Sequence, residues 1–248
     1  MEQVDNTDNT ESTDSFVDIV DNNSTHTVIV FGGLGHKVGM PIFEFKKALS
    51  PFKVNIVFFR DMTRSWYHNP IPEFGHTFQE KSKKIQTLLE PFKDTKKYLI
   101  GSSAGGFAAL MFGAFIQAEG ALLFGPQVFT DKPTRRLLGE KRWPRLTNNI
   151  EGHENRNICQ LSGQISHPVY IIAGGSSQLD IMHALYAKAH SNAEIYLLSK
   201  GGHNVALELK NANILHNILE TYLLSNDPIK EYSGLKIGNR LARLERIR

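Results

Sequence analysis

One cysteine stands among 248 residues, and that scarcity is the first constraint. Cys159 has no partner for an internal disulfide and none of the neighbouring thiols that a structural zinc site needs, so neither scaffold is expected. No uninterrupted apolar run approaches the roughly 18 residues required to cross a bilayer. A dense basic stripe interleaved with aromatics is also missing, which disfavours nucleic acid as a partner. The opening stretch MEQVDNTDNTESTDS is polar and acidic and reads as neither a secretory signal nor a transit peptide, so cytoplasmic residence is the expectation.

What is present is the composition of a soluble globular chain, 41% hydrophobic and 21% charged, at a length that fits one domain with tails. The net charge of +3 conceals an asymmetry. Residues 1–25 carry −7 and few large apolar groups, so they cannot bury enough surface to offset ordering entropy and are expected to be disordered. Residues 232–248 carry +4, with Ile237, Leu241 and Leu244 on one side of a helical projection. That basic amphipathic tail reads as a segment that docks on a partner, on acidic lipid or on its own chain. The body between, 26–231, is moderately basic, which suits an anionic substrate but is also common among ordinary enzymes.

Along the body, short apolar runs alternate with segments of helical period. The runs are 27–31 (TVIVF), 54–59 (VNIVFF), 98–100 (YLI), 121–124 (ALLF), 169–173 (VYIIA) and 195–198 (IYLL). They are β-branched or aromatic-rich and mostly apolar on both faces, as strands are when helices cover both sides of a parallel sheet. Helices are expected at 41–49, 78–92, 104–117, 181–189 and 205–224, the last with Leu207, Leu215, Ile218 and Leu223 on its apolar side. The alternation predicts a doubly wound, mostly parallel α/β sheet of about six strands with right-handed crossovers. Residues 129–166 break the rhythm and read as a small lid-like insertion. Its Lys132, Arg135, Arg136, Lys141, Arg142 and Arg145 form either a solvated surface or an anion-attracting cover.

The strongest chemical signal is Gly101-Ser102-Ser103-Ala104-Gly105, directly after one strand and directly before a helix of small residues. Glycines at 101 and 105 permit a turn too tight for side chains, which raises the Ser103 hydroxyl above the sheet. The helix N-terminus beneath it offers unpaired N–H groups for an oxyanion. The alternative is a glycine-rich turn that only lets strand and helix approach. A serine needs a base, and His203 follows the last strand in Lys200-Gly201-Gly202-His203-Asn204. Asp180, beyond the preceding strand, suits the orienting carboxylate, or else the N-cap of the helix after it. At the same sheet edge Asp61, Trp66 and Tyr67 follow the second strand. The two aromatics read as ligand faces, and Asp61 as a substrate contact or a loop anchor.

With these residues in the order Ser103, Asp180, His203, the chain resembles the α/β-hydrolase superfamily across about 26–225. The resemblance implies an oxyanion hole built from the N–H of Ala104 and an N–H of Gly33 or Leu34, in the loop after the first strand. His36 in that loop is either a substrate contact or simply exposed. Room for two leading antiparallel strands is lacking, so a trimmed six-stranded version is expected. The combination FGG…MPIFEF, RD…WY and GSSAGGFAAL also resembles serine hydrolases of bacterial surface-polysaccharide biosynthesis, which implies an acylated carbohydrate or other small acyl ester as substrate. The resulting expectation is a serine esterase or thioesterase that needs no metal and no organic cofactor. An acyltransferase using the same triad and a non-catalytic binding module are the alternatives.

Overall fold

The computed structural model describes residues 15–35, 44–161, 163–224 and 229–247. Among these residues one sheet of nine strands organises the molecule. Its six central strands are parallel: β2 (His26–Phe31), β3 (Asn55–Phe59), β4 (Lys96–Ser102), β5 (Gly120–Phe124), β6 (Val169–Gly174) and β7 (Ala193–Leu198). These are the six apolar runs, and adjacent residues within them feed opposite cores. Ile29, Phe31, Leu99, Leu123 and Ile171 pack with α2 (Phe78–Leu89), α3 (Ala104–Gly113) and α6 (Gln178–His190) on one face. Val28, Val30, Ile100, Leu122 and Ile172 pack with α1 (Lys46–Leu49), α7 (Val205–Asn211) and α8 (Leu215–Leu224) on the other. All ten residues of α3 are buried, which is why its sequence is apolar all round. Local signals set the helix starts: Thr77 and Glu80 form a reciprocal capping box on α2, and Ser177 caps α6.

Three expectations are corrected at the edges. The sheet is mixed and larger than six strands. A leading strand, β1 (Val17–Val20), pairs antiparallel with β3, within the segment expected to be disordered. Phe16 anchors it, its ring 5.7 Å from Phe59 and 4.2 Å from Phe74. One aromatic buried in a preformed core offsets the ordering of a short strand that composition alone reads as unstructured. Residues 1–14 lie outside the described residues.

At the opposite edge the basic tail is a β-hairpin, β8 (Tyr232–Ile237) and β9 (Arg240–Ile247), and β9 pairs antiparallel with β7. Gly238 and Asn239 form the two-residue turn, with Gly238 at φ 57°. The period is two: Ala242 and Leu244 are buried while Leu241 is 70% exposed, so the helical grouping of Ile237, Leu241 and Leu244 does not hold. The tail docks on its own chain.

The expected 205–224 helix is two helices. Asn213 at φ 59° breaks it, and Leu207 points to solvent while Val205 and Leu209 are buried. Of the 41–49 helix only Lys46–Leu49 is helical, and 41–43 fall outside the described residues. The insertion contains α4 (Lys132–Leu137) and α5 (Pro144–Asn149) and a 3-10 turn at Ile158–Leu161. Its Phe129, Ile150, Ile158 and Leu161 join the core with α3 and α6. Among the described residues no helix is long and apolar enough to cross a membrane.

Candidate active site

The chain passes from β2 outward to β3, then returns past β2 to β4, so the connections leaving β2 and β4 diverge. Such a switch point opens a crevice at the carboxyl ends of the strands. Gly32 and Gly33 leave β2 there, and Ser103 leaves β4.

Ser103 sits at φ 52° and ψ −115°, a conformation that side-chain-bearing residues avoid. Its surroundings impose it. The Ser103 N–H donates to the Phe124 carbonyl, and its own carbonyl accepts from Gly106 and Gln127. A Cβ on Gly105 would lie 1.9 Å from the Phe31 carbonyl oxygen, and one on Gly101 would lie 2.4 Å from that of Gly105. Both glycines are therefore required by close backbone approach. The bend lifts the hydroxyl to 3.0 Å from Nε2 of His203.

His203 is held by its own loop. The Gly202 N–H donates to both oxygens of Glu208 at 3.1 and 3.0 Å, and the Gly201 carbonyl accepts from Ser176. Nδ1 of His203 lies 3.0 Å from Oδ1 of Asp180. The imidazole side chain is 29% exposed while Asp180 is fully buried, so the ring is open to a ligand and the carboxylate is not. Ser177, rather than Asp180, supplies the cap of α6, which leaves the Asp180 carboxylate free to face the histidine. Burial alone would raise the Asp180 carboxyl, but the contacts with His203 and Arg142 outweigh it and hold the group below its ordinary value.

Four further charged or titratable groups, none singled out as a site residue from sequence, adjoin these three. Arg142 of the insertion donates through Nη1 to the same Oδ1 of Asp180 at 2.7 Å, and that nitrogen is 3.4 Å from Nδ1 of His203. Arg142 is also gripped by Glu140, Nη2 to Oε2 at 2.6 Å and Nε to Oε2 at 2.9 Å. Glu140 in turn accepts from Nε2 of His183 at 2.9 Å, and the Val128 N–H donates to Nδ1 of that ring. Because Nδ1 accepts, the proton of a neutral His183 is on Nε2. Burial pushes the Glu140 carboxyl up, but His183 and Arg142 reverse this and bring it down to about 2. Asp180 and His183 are three apart on α6, a helical face that motif reading passes over.

The fourth is Glu44. Gly33 lies directly beside Ser103: a Cβ there would be 3.5 Å from that of Ser103 and 3.3 Å from Oε1 of Glu44. Burial raises the Glu44 carboxyl to about 6, against the lowering effect of the Gly33 N–H and the Ser102 side chain. Ala104 opens α3, so its N–H has no acceptor within the helix. The Leu34 side chain is buried in the core. His36 lies outside the described residues.

The loop after β3 is corrected. Trp66 and Tyr67 are 2% and 3% exposed and present no ligand face. Trp66 donates to Gln127, whose N–H holds the Ser103 carbonyl, and the Tyr67 hydroxyl donates to the carbonyls of Gly32 and Phe59. Asp61 is fully buried and accepts from the backbone N–H groups of Thr63, Ser65 and Tyr67. It stabilises a loop in which Arg64, Trp66 and Tyr67 all have positive φ. The three brace the floor of the site from within the core. Lys132, Arg135, Arg136 and Lys141 line a cavity of about 280 Å³ on the insertion itself, with Glu140 in its wall. Among the described residues no cluster of three or more His, Cys, Asp or Glu is placed to hold a metal ion.

No protein-family model matches the sequence, and no curated protein matches it significantly. Solved structures do match in fold. MenH from S. aureus superposes with a TM-score of 0.58 at 12% identity, covering 84% of this chain and 97% of that one. MGS-M2, an alpha/beta hydrolase enzyme from a Medee basin deep-sea metagenome library, gives 0.58 at 15% identity, covering 87% and 95%. The capsule O-acetyltransferase of Neisseria meningitidis serogroup A gives 0.54 at 18% identity, covering 77% and 87%. The fold of this chain is the α/β-hydrolase fold.

Proposed function

We propose that this chain is a serine hydrolase that cleaves an ester or thioester through an acyl-enzyme on Ser103. The observation that carries the reading is the run of contacts Ser103–His203–Asp180, each 3.0 Å, joining the turn after β4, the loop after β7 and the first turn of α6 at one sheet edge. In the first half-reaction His203 Nε2 takes the Ser103 proton as Oγ bonds to the acyl carbon. Asp180 keeps the other imidazole proton on Nδ1 and offsets the positive charge of the ring. The tetrahedral oxyanion is held by the Ala104 N–H and by one from Leu34, or from Gly33 once its N–H leaves Glu44, a contribution of about 3 kcal/mol per donor in comparable sites. Collapse expels the alcohol or thiol, which leaves with the proton from His203. Water then attacks the acyl-enzyme with its proton going to His203, and the acid departs as Ser103 is regenerated.

Acyl transfer is the second reading. It is favoured by the fold likeness to a capsule O-acetyltransferase, and it differs only in that an acceptor hydroxyl replaces water in the second step. A small acyl ester, including an acylated carbohydrate, is the proposed substrate class, with action in the cytoplasm. The test is labelling with a fluorophosphonate probe, wild type beside Ser103→Ala, followed by acetyl, longer acyl and thioester substrates. Stoichiometric labelling confined to Ser103 is expected; absence of both labelling and esterase activity in the wild type rejects the reading. Product analysis with carbohydrate acceptors separates the two outcomes, since exclusive release of free acid excludes transfer.

A further inference from the structure

Hydrolysis by a Ser–His–Asp set needs only one donor on the aspartate, yet here two compete for a single oxygen. His203 and Arg142 both address Oδ1 of Asp180, while Oδ2 is buried without a hydrogen-bond partner. Building on the catalytic reading above, we infer that Arg142 is a positioning residue contributed by the insertion. It selects the oxygen of Asp180 that faces His203 and thereby fixes the imidazole toward Ser103.

Arg142 is itself fixed, because Glu140 grips it from behind and His183 and Val128 hold Glu140 in turn. A guanidinium set this firmly, 2.7 Å from Oδ1 and 3.4 Å from Nδ1, leaves the carboxylate one orientation toward the ring. Glu140 spends its charge on Arg142 and on the neutral His183, Arg135 donates to the carbonyl of Arg142, and Glu44 approaches from the β2 side. The insertion thereby supplies part of the site rather than only covering it.

The experiment measures the rate of fluorophosphonate labelling of Ser103, which needs no turnover, alongside kcat and KM for an acyl ester. Arg142→Gln is expected to slow labelling and lower kcat about tenfold while KM stays near the wild-type value. Because removing one partner of a buried pair can unfold a protein, the double variant Glu140→Gln/Arg142→Gln tests the same loss without leaving Glu140 unpaired. Arg142→Lys retains the charge and should recover most of the labelling rate. Arg156→Gln breaks the Arg156–Glu151 pair elsewhere in the insertion and should leave the rate in place. An unchanged labelling rate in the double variant, or an equal loss with Arg156→Gln, overturns the inference. Failure of the wild type itself to label at Ser103 would instead remove the catalytic reading, so the two failures are told apart.

Discussion

Ser103 and His203, one hundred residues apart in the chain, are joined by a 3.0 Å contact between Oγ and Nε2. Neither residue reaches the other by local preference. The strain at Ser103 is imposed by hydrogen bonds of its backbone to Phe124, Gly106 and Gln127, and the loop of His203 is anchored by Glu208.

The first prediction concerns that strain. Ser103→Ala should lower acyl-ester turnover by at least about a thousandfold, since the nucleophile is gone while the oxyanion donors remain. Ser103→Gly should be equally inactive but more stable than Ser103→Ala by about 1 kcal/mol, because glycine adopts φ 52° without steric cost. Paired denaturant melts measure the difference, and equal stabilities would contradict it.

Gly105→Ala should be far more damaging than its size suggests. The added methyl would meet the Phe31 carbonyl at 1.9 Å, and a backbone atom in a central strand cannot swing aside. A loss of more than about 3 kcal/mol, or failure to accumulate as soluble protein, is expected from urea titration.

Asp61 acts on stability before activity. Asp61→Ala leaves the N–H groups of Thr63, Ser65 and Tyr67 without their acceptor in a loop of positive-φ residues. A destabilisation of about 3 kcal/mol is expected, with kcat falling as the floor under Gly32 and Gln127 loosens and KM little changed. A selective rise in KM with unaltered melting would mark a substrate contact instead.

Glu44 links stability to pH. Its carboxyl is raised in the fold from an ordinary 4.5 to about 6, so the native state holds this proton more tightly than the unfolded chain. The associated stability is fully present below pH 4.5 and lost as pH rises through 6. Glu44→Gln should flatten this component, giving a smaller drop in melting temperature between pH 4.5 and 7 than in the wild type. Glu140, lowered to about 2, acts oppositely: its contribution is present above its ordinary 4.5 and is lost as pH falls toward 2. Thermal scans across pH 2–8 resolve both, and identical profiles for wild type and Glu44→Gln would refute the Glu44 assignment.

The two edges of the sheet show where sequence reading stops short. The six central strands announce themselves because both faces of each are buried, so the runs are apolar but for Thr27 and Asn55, which are buried and hydrogen-bonded. Edge strands bury one face, and their signal is thin. Val17–Val20 lies in an acidic stretch whose order depends on Phe16 finding Phe59 and Phe74. In the tail, the Gly238-Asn239 pair was the readable hairpin signal, and the helical projection of three apolar residues obscured it. Trp66 and Tyr67 looked like ligand faces because their ring chemistry suits that role as well as it suits a hydrogen-bonded core.

What the sequence determined alone is the alternation of strand and helix and the glycine-bounded serine between β4 and α3, since periodicity and steric permission are properties of neighbouring residues. The tertiary structure decided which carboxylate faces His203, that Arg142, held by Glu140, reaches it from the insertion, and which aromatics turn inward. Those outcomes depend on distances between segments remote in the chain. Only when the sheet assembles do such charges come close enough, in a medium of low enough polarity, for one side chain to govern another.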